Sequence, residues 1–142
     1  DPHDLELINK LLSIMEEGNA DFTLVFRGLS ETLLGKEEPL QTLFDDPNSL
    51  NLWLKRWYKR IDADKINLES LAKSMNQINP LYIPRNHKVE EALNEAVLNS
   101  DMTLFSQLLE VVTHPFDEIK GKEGYASPAP ISDIKYQTFC GT

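Results

Sequence analysis

Apolar residues in this chain recur three and four positions apart in one segment after another, and no segment alternates apolar with polar as a half-buried strand does. Such spacing lays one apolar stripe along each helix and obliges the helices to bury those stripes against one another, so the predicted class is all-α. Leu5, Ile8, Leu11, Leu12 and Met15 make the first stripe, within 4–17. Asp4 is the expected cap of that helix, and Gly18 is expected to close it in a left-handed conformation. Asp21 should cap a second helix bearing Phe22, Val25, Phe26, Leu29 and Leu33, and so short a connection predicts antiparallel packing of the two. Gly35, Pro39 and Pro47 break the pattern around one short turn near 40–44. A third long helix covers 48–61, with Leu50, Trp53, Leu54 and Trp57 on one face. A fourth covers 67–78, capped by Asn67, with Leu68, Leu71, Ala72, Met75 and Ile78 inward and Asn79-Pro80 as its stop. After an extended connector over 81–85, two further helices follow at 88–98 and 102–112, the latter capped by Ser100 or Asp101. The expected architecture is an irregular bundle of about six helices, built of antiparallel hairpins, over 1–112. An irregular, extended C-terminal tail over 113–142 completes it and carries Cys140.

With 41% hydrophobic residues a real core is within reach, and no apolar run is long enough to span a membrane. The net charge of -9 repels phosphate backbones and anionic lipid, so neither nucleic acid nor membrane is an expected partner. The basic cluster Lys55, Arg56, Lys59 and Arg60 lies opposite the apolar face of its helix and reads as a solvated surface. A single cysteine excludes an internal disulfide framework and a multi-cysteine zinc site. The opening Asp1-Pro2-His3-Asp4 has neither the basic start and apolar centre of a secretory signal nor an initiator Met, and a piece of a longer chain is expected.

Catalytic patterns do not emerge. Asp62, Asp64 and Asn67 resemble the start of a calcium loop, but the sixth and twelfth positions hold Asn67 and Lys73 where glycine and a bidentate glutamate are needed. His3, His87 and His114 fit no metal-ligand spacing. Ser30 and Ser74 have no histidine nearby in sequence to activate them, and the glycines form no phosphate-binding loop. Residues 91–112 read like one ankyrin helix pair, with Ala92, Ala96, Asp101, Leu104, Leu108 and Leu109, but no second copy follows and an ordinary helical hairpin is the better description. Trp53 with Trp57, and Phe22 with Phe26, stand four apart, a core-packing spacing. No catalytic, cofactor-binding or metal-binding residue is therefore assigned within 1–142.

Four stretches stand out in order: Asp21-Phe22-Thr23-Leu24-Val25-Phe26-Arg27-Gly28-Leu29-Ser30, then Asn79-Pro80-Leu81-Tyr82-Ile83-Pro84-Arg85-Asn86, then 101–116, and the terminal Phe139-Cys140-Gly141-Thr142. Together they resemble the C-terminal part of the selenoprotein-O family, whose bacterial members are the YdiU proteins. Pro84 and the closing Gly141-Thr142 depart from the family pattern. The resemblance implies a parent enzyme with a kinase-like fold that uses ATP and Mg or Mn to transfer AMP to hydroxyls of protein substrates. Its nucleotide- and metal-binding residues lie upstream of the matching region and none maps onto this chain. The resemblance makes Cys140 a redox candidate able to pair with a cysteine of the catalytic portion. It also implies a cytoplasmic setting for a bacterial-type member with Cys in place of selenocysteine, or a mitochondrial one in a eukaryote.

Asn79, Arg85 and Asn86 are expected to order the junction between helix pairs, Arg85 through the fork of its guanidinium. The expected partner is the kinase-like lobe of the same polypeptide. A stand-alone helical protein–protein interaction module is the alternative. A self-contained hydrolase or nucleotidyltransferase would need a polar cleft that the sequence does not offer. A domain cut from its neighbour should expose an apolar patch on its first two helices, through which isolated copies could pair as dimers.

Overall fold

The computed structural model describes residues 2–130, and among these it contains seven α-helices, one short 3-10 helix and no strand. The all-α class holds. Helices α1 (Pro2–Glu17), α2 (Phe22–Leu33), α3 (Glu38–Gln41), α4 (Asn48–Ala63) and α5 (Leu68–Ile78) belong to a first unit that ends at Asn79. Helices α6 (Asn86–Asn99) and α7 (Thr103–Thr113), with the 3-10 turn Glu123–Tyr125, belong to a second unit that begins at Pro80. The units part between Asn79 and Pro80, just before the extended connector. The single turn expected near 40–44 is α3, a little earlier in the chain.

Two helix starts are set by the residues that the sequence nominates. The Asp21 carboxylate accepts from the Leu24 amide at 2.9 Å, and the Asn67 side chain accepts from Ser70 at the same distance. Each cap satisfies a first-turn amide that has no partner within its helix and is worth about 1 kcal/mol. At α7 the N-cap position falls to Met102 and not to Ser100 or Asp101: Asp101, one residue earlier, accepts from the Thr103 amide at 2.9 Å, and Ser100 takes the left-handed conformation that ends α6. Two expectations at α1 are corrected. The helix starts at Pro2, which suits a first turn, so Asp4 lies inside it and pairs with Arg60 across to α4. The left-handed residue closing α1 is Asn19, not Gly18. Gly18 is needed for a different reason: a Cβ there would sit 2.9 Å from the Phe44 ring.

The first unit closes around a main interior of Leu7, Leu11, Ile14, Met15, Val25, Leu29, Leu40, Phe44, Leu50, Trp53 and Leu54, with a smaller cluster of Leu33, Ile61 and Ala72. Burying each large side chain of this kind stabilises by about 1.5–3 kcal/mol. The main partner of α1 is α4, and that of α2 is α5, so two helices adjacent in sequence each take a later helix as chief neighbour instead of each other. This pairing also corrects the α1 stripe. Leu7, Leu11, Ile14 and Met15 are buried, while Leu5, Ile8 and Leu12 are exposed. The helix is apolar over a wide arc, and Trp53 selects the flank that faces inward: its indole N–H donates to the Leu7 carbonyl at 2.8 Å. On α5, Ala72 is buried against Leu33 and Ile61, but Leu68 and Ile78, at the helix ends, are exposed and not inward as the spacing predicts.

In the second unit α6 and α7 pack as the expected hairpin, burying Ala92, Leu108 and Val111. Its interior is small and is completed by polar links to the segment after α7. The Leu81 and Tyr82 amides both donate to the Pro115 carbonyl, at 2.7 and 3.2 Å. The Tyr82 hydroxyl accepts from the Ile119 amide at 3.1 Å, and Tyr125 donates to Gln107 Oε1 at 3.1 Å.

Candidate functional site

An open, mostly apolar groove of about 380 Å3 lies between α1, α2, α4 and α5 of the first unit. Leu11, Leu29 and Trp53 form its floor and are continuous with the interior. Its walls are Ile8 and Leu12 from α1, Phe26 from α2, Trp57 from α4, Leu71 and Met75 from α5, and Ile66 from the α4–α5 turn. Ile8 and Leu12 are 54% and 41% exposed, one helical turn apart on the same ridge. Trp53 and Trp57 stack with ring centroids 5.5 Å apart, which stiffens the α4 wall.

Charge is confined to one lip. Arg60 Nε donates to Asp4 at 2.7 Å and Nη1 to Asp64 at 2.5 Å. The hydrogen bond from Arg60 holds the Asp4 carboxyl below the usual carboxylate range, and the same bonds hold the guanidinium charged well above its ordinary limit. Arg56 pairs with Glu6 at 2.9 Å and lowers that carboxyl in the same way. Arg56 and Arg60 of the basic cluster on α4 are thus engaged with acids of α1 or with Asp64 just past the helix end, and Asn67 serves as a cap. Among the described residues no group of three His, Asp or Glu side chains is placed to hold a metal, and no helix is long and apolar enough to cross a membrane.

The Phe26-Arg27…Leu29-Ser30 stretch performs a local task. Arg27 Nη1 donates to the carbonyls of Asn76 and Asn79, each at 3.2 Å, and so ties α2 to the end of α5. The Ser30 hydroxyl is fully buried and lies within hydrogen-bonding reach of Asn76 Oδ1 and the Arg27 carbonyl. A hydroxyl so enclosed is a packing group. Gly28 beside it leaves room for α3, since a Cβ would stand 3.1–3.2 Å from the Leu40 side chain.

The three junction residues take separate places. Asn79 ends α5, donating its amide to the Met75 carbonyl at 2.8 Å and offering its own carbonyl to Arg27. Arg85, only 6% exposed, donates from Nη2 to the Ala126 carbonyl at 3.2 Å, and Asn86 opens α6. Burial, with the neighbouring Lys88, pushes the imidazole of His87 below its ordinary pKa. His114 Nδ1 lies 3.0 Å from the Glu110 carbonyl. Cys140, the redox candidate, lies outside the described residues.

The model of the family described as protein adenylyltransferase SelO matches residues 1–113. Among similar proteins, the protein nucleotidyltransferase YdiU of Maridesulfovibrio salexigens is 41% identical over 96% of this chain. That of Sphingopyxis alaskensis is 44% identical over 98%, and that of Rhizobium meliloti 38% identical over 98%. The chain spans less than a third of the length of these relatives, 28–29% in each case. On a family match over most of its residues, and near-complete coverage by relatives about 40% identical, the chain belongs to the SelO/YdiU family of protein nucleotidyltransferases.

Proposed function

We propose that this chain is the C-terminal helical accessory region of a protein adenylyltransferase. In this reading a kinase-like portion of the same polypeptide binds ATP with Mg or Mn. A Ser, Thr or Tyr hydroxyl of a protein substrate attacks the α-phosphorus, the α–β phosphoanhydride bond breaks, pyrophosphate leaves, and the hydroxyl proton passes to a base of that portion. The present residues contribute no catalytic side chain; they buttress the lobe that does the chemistry. The observation that carries the reading is the match of residues 1–113 to a family described as a protein adenylyltransferase.

The test is AMP transfer from labelled ATP by the whole gene product, by the same product lacking these residues, and by the 142-residue chain alone. The whole product should transfer, the chain alone should not, and removal should cost most of the activity. Transfer by the chain alone, or none by the whole, overturns the reading. A 142-residue chain that binds a protein partner while the whole product transfers nothing would favour the interaction-module reading, for which the apolar groove is the supporting feature.

Cys140 is the redox element of this proposal. Its thiolate would exchange with a disulfide such as oxidised glutathione and then with a catalytic-portion cysteine, forming the protein disulfide as two glutathione thiols are released. Cys140→Ser in the whole product should abolish the response of AMP transfer to the glutathione couple; an unchanged response sinks this element.

A further inference from the structure

We infer that the groove between α1, α2, α4 and α5 is an intramolecular docking site, filled in the whole protein by an apolar stripe of the same polypeptide from outside these 142 residues. The inference rests on the preceding reading only in taking a longer polypeptide as the natural setting of this chain.

Three observations select that occupant. First, the groove is an extension of the interior. Leu11, Leu29 and Trp53 are buried at its floor, and Ile8, Leu12 and Ile66 carry the same apolar surface out to solvent. Isolated apolar residues on a surface need no partner, but a concave patch continuous with the core does. Second, the relatives are more than three times as long as the stretch they share with this chain, so most of such a polypeptide is available to cover it. A tethered segment meets the groove at an effective concentration on the order of millimolar, which favours it over any untethered competitor. Third, two copies of this chain each carry a net charge of -9 and repel one another, which disfavours a second copy as the natural cover. The polar end of the groove does not invite a phosphate-bearing ligand either. Arg60 already faces the carboxylates of both Asp4 and Asp64.

Burial of Ile8 and Leu12 can be read without any substitution by hydroxyl-radical footprinting resolved by mass spectrometry. The two residues should react readily in the 142-residue chain. In the whole gene product their modification should slow about fivefold or more, the change from a half-exposed to a buried side chain. Equal rates in the two proteins overturn the inference. Protection that appears in the 142-residue chain itself as its concentration rises assigns the groove to a second copy and also overturns it. As a second readout, Leu12→Glu should leave the melting temperature of the 142-residue chain nearly unchanged but lower that of the whole product by several degrees. A drop of equal size in both would mean that the residue acts only within the first unit, against the inference. Failure here is separable from failure of the proposed activity. An active adenylyltransferase with an open groove sinks only the docking, and an inactive protein with a covered groove sinks only the activity.

Discussion

The two units of this chain solve the same problem with different means. The first has enough helix to enclose large side chains, and its interior runs through Trp53, Phe44 and nine aliphatic or methionine neighbours with few polar intrusions. The second has two long helices, buries mainly Ala92, Leu108 and Val111 between and around them, and relies on Tyr82 and Arg85 to fasten the segment after α7. A two-helix hairpin cannot exclude water from its own face, so directional hydrogen bonds replace bulk. What the contrast teaches is that loss of volume should be the main weakness of the first unit and loss of a single polar atom that of the second.

The largest expected effect is on the first unit. Trp53→Ala empties the floor of the groove, removes the stack on Trp57 and the indole bond to the Leu7 carbonyl, and should cost about 3–5 kcal/mol in denaturant titration of the 142-residue chain. A loss below about 1 kcal/mol would break the comparison on that side. In the second unit Tyr82→Phe removes one oxygen and no volume. The Ile119 amide loses its acceptor, and a cost of about 1–3 kcal/mol is expected, with faster hydrogen exchange at Ile119. If Tyr82→Phe were neutral, the polar links would be incidental. The smallest effect concerns the groove lip. Because Arg60 lowers the Asp4 carboxyl in the folded chain, the stability it lends is present above the ordinary carboxylate pKa. It is lost as the pH falls through the lowered value. Asp4→Asn should therefore narrow the gap in stability between neutral and strongly acidic pH, measured by melting temperature, by no more than a few degrees.

These residues also show where sequence reasoning stops. Caps were legible because Asp21 and Asn67 act within three residues of themselves, and the class was legible because period and length are local. The phase of α1 was not. Seven apolar positions across 5–15 allow more than one inward flank, and only the arrival of Trp53, 46 residues away from Leu7, decides between them. For the same reason the expected patch on the first two helices was found in part. Ile8, Leu12 and Phe26 belong to it, but the walls from α4 and α5 depend on pairings of α1 with α4 and of α2 with α5 that no periodicity encodes. The guanidinium fork of Arg85 marks it for a structural role, yet the Ala126 carbonyl it meets lies 41 residues on, in a stretch without any periodic signal.

Both tryptophans of the chain sit on α4 against the groove, and one of them grips the backbone of α1. Intrinsic emission from this chain is therefore a local gauge. Lifting α1 away would hydrate the Trp53 indole, loosen its stack on Trp57 and shift the emission to longer wavelength.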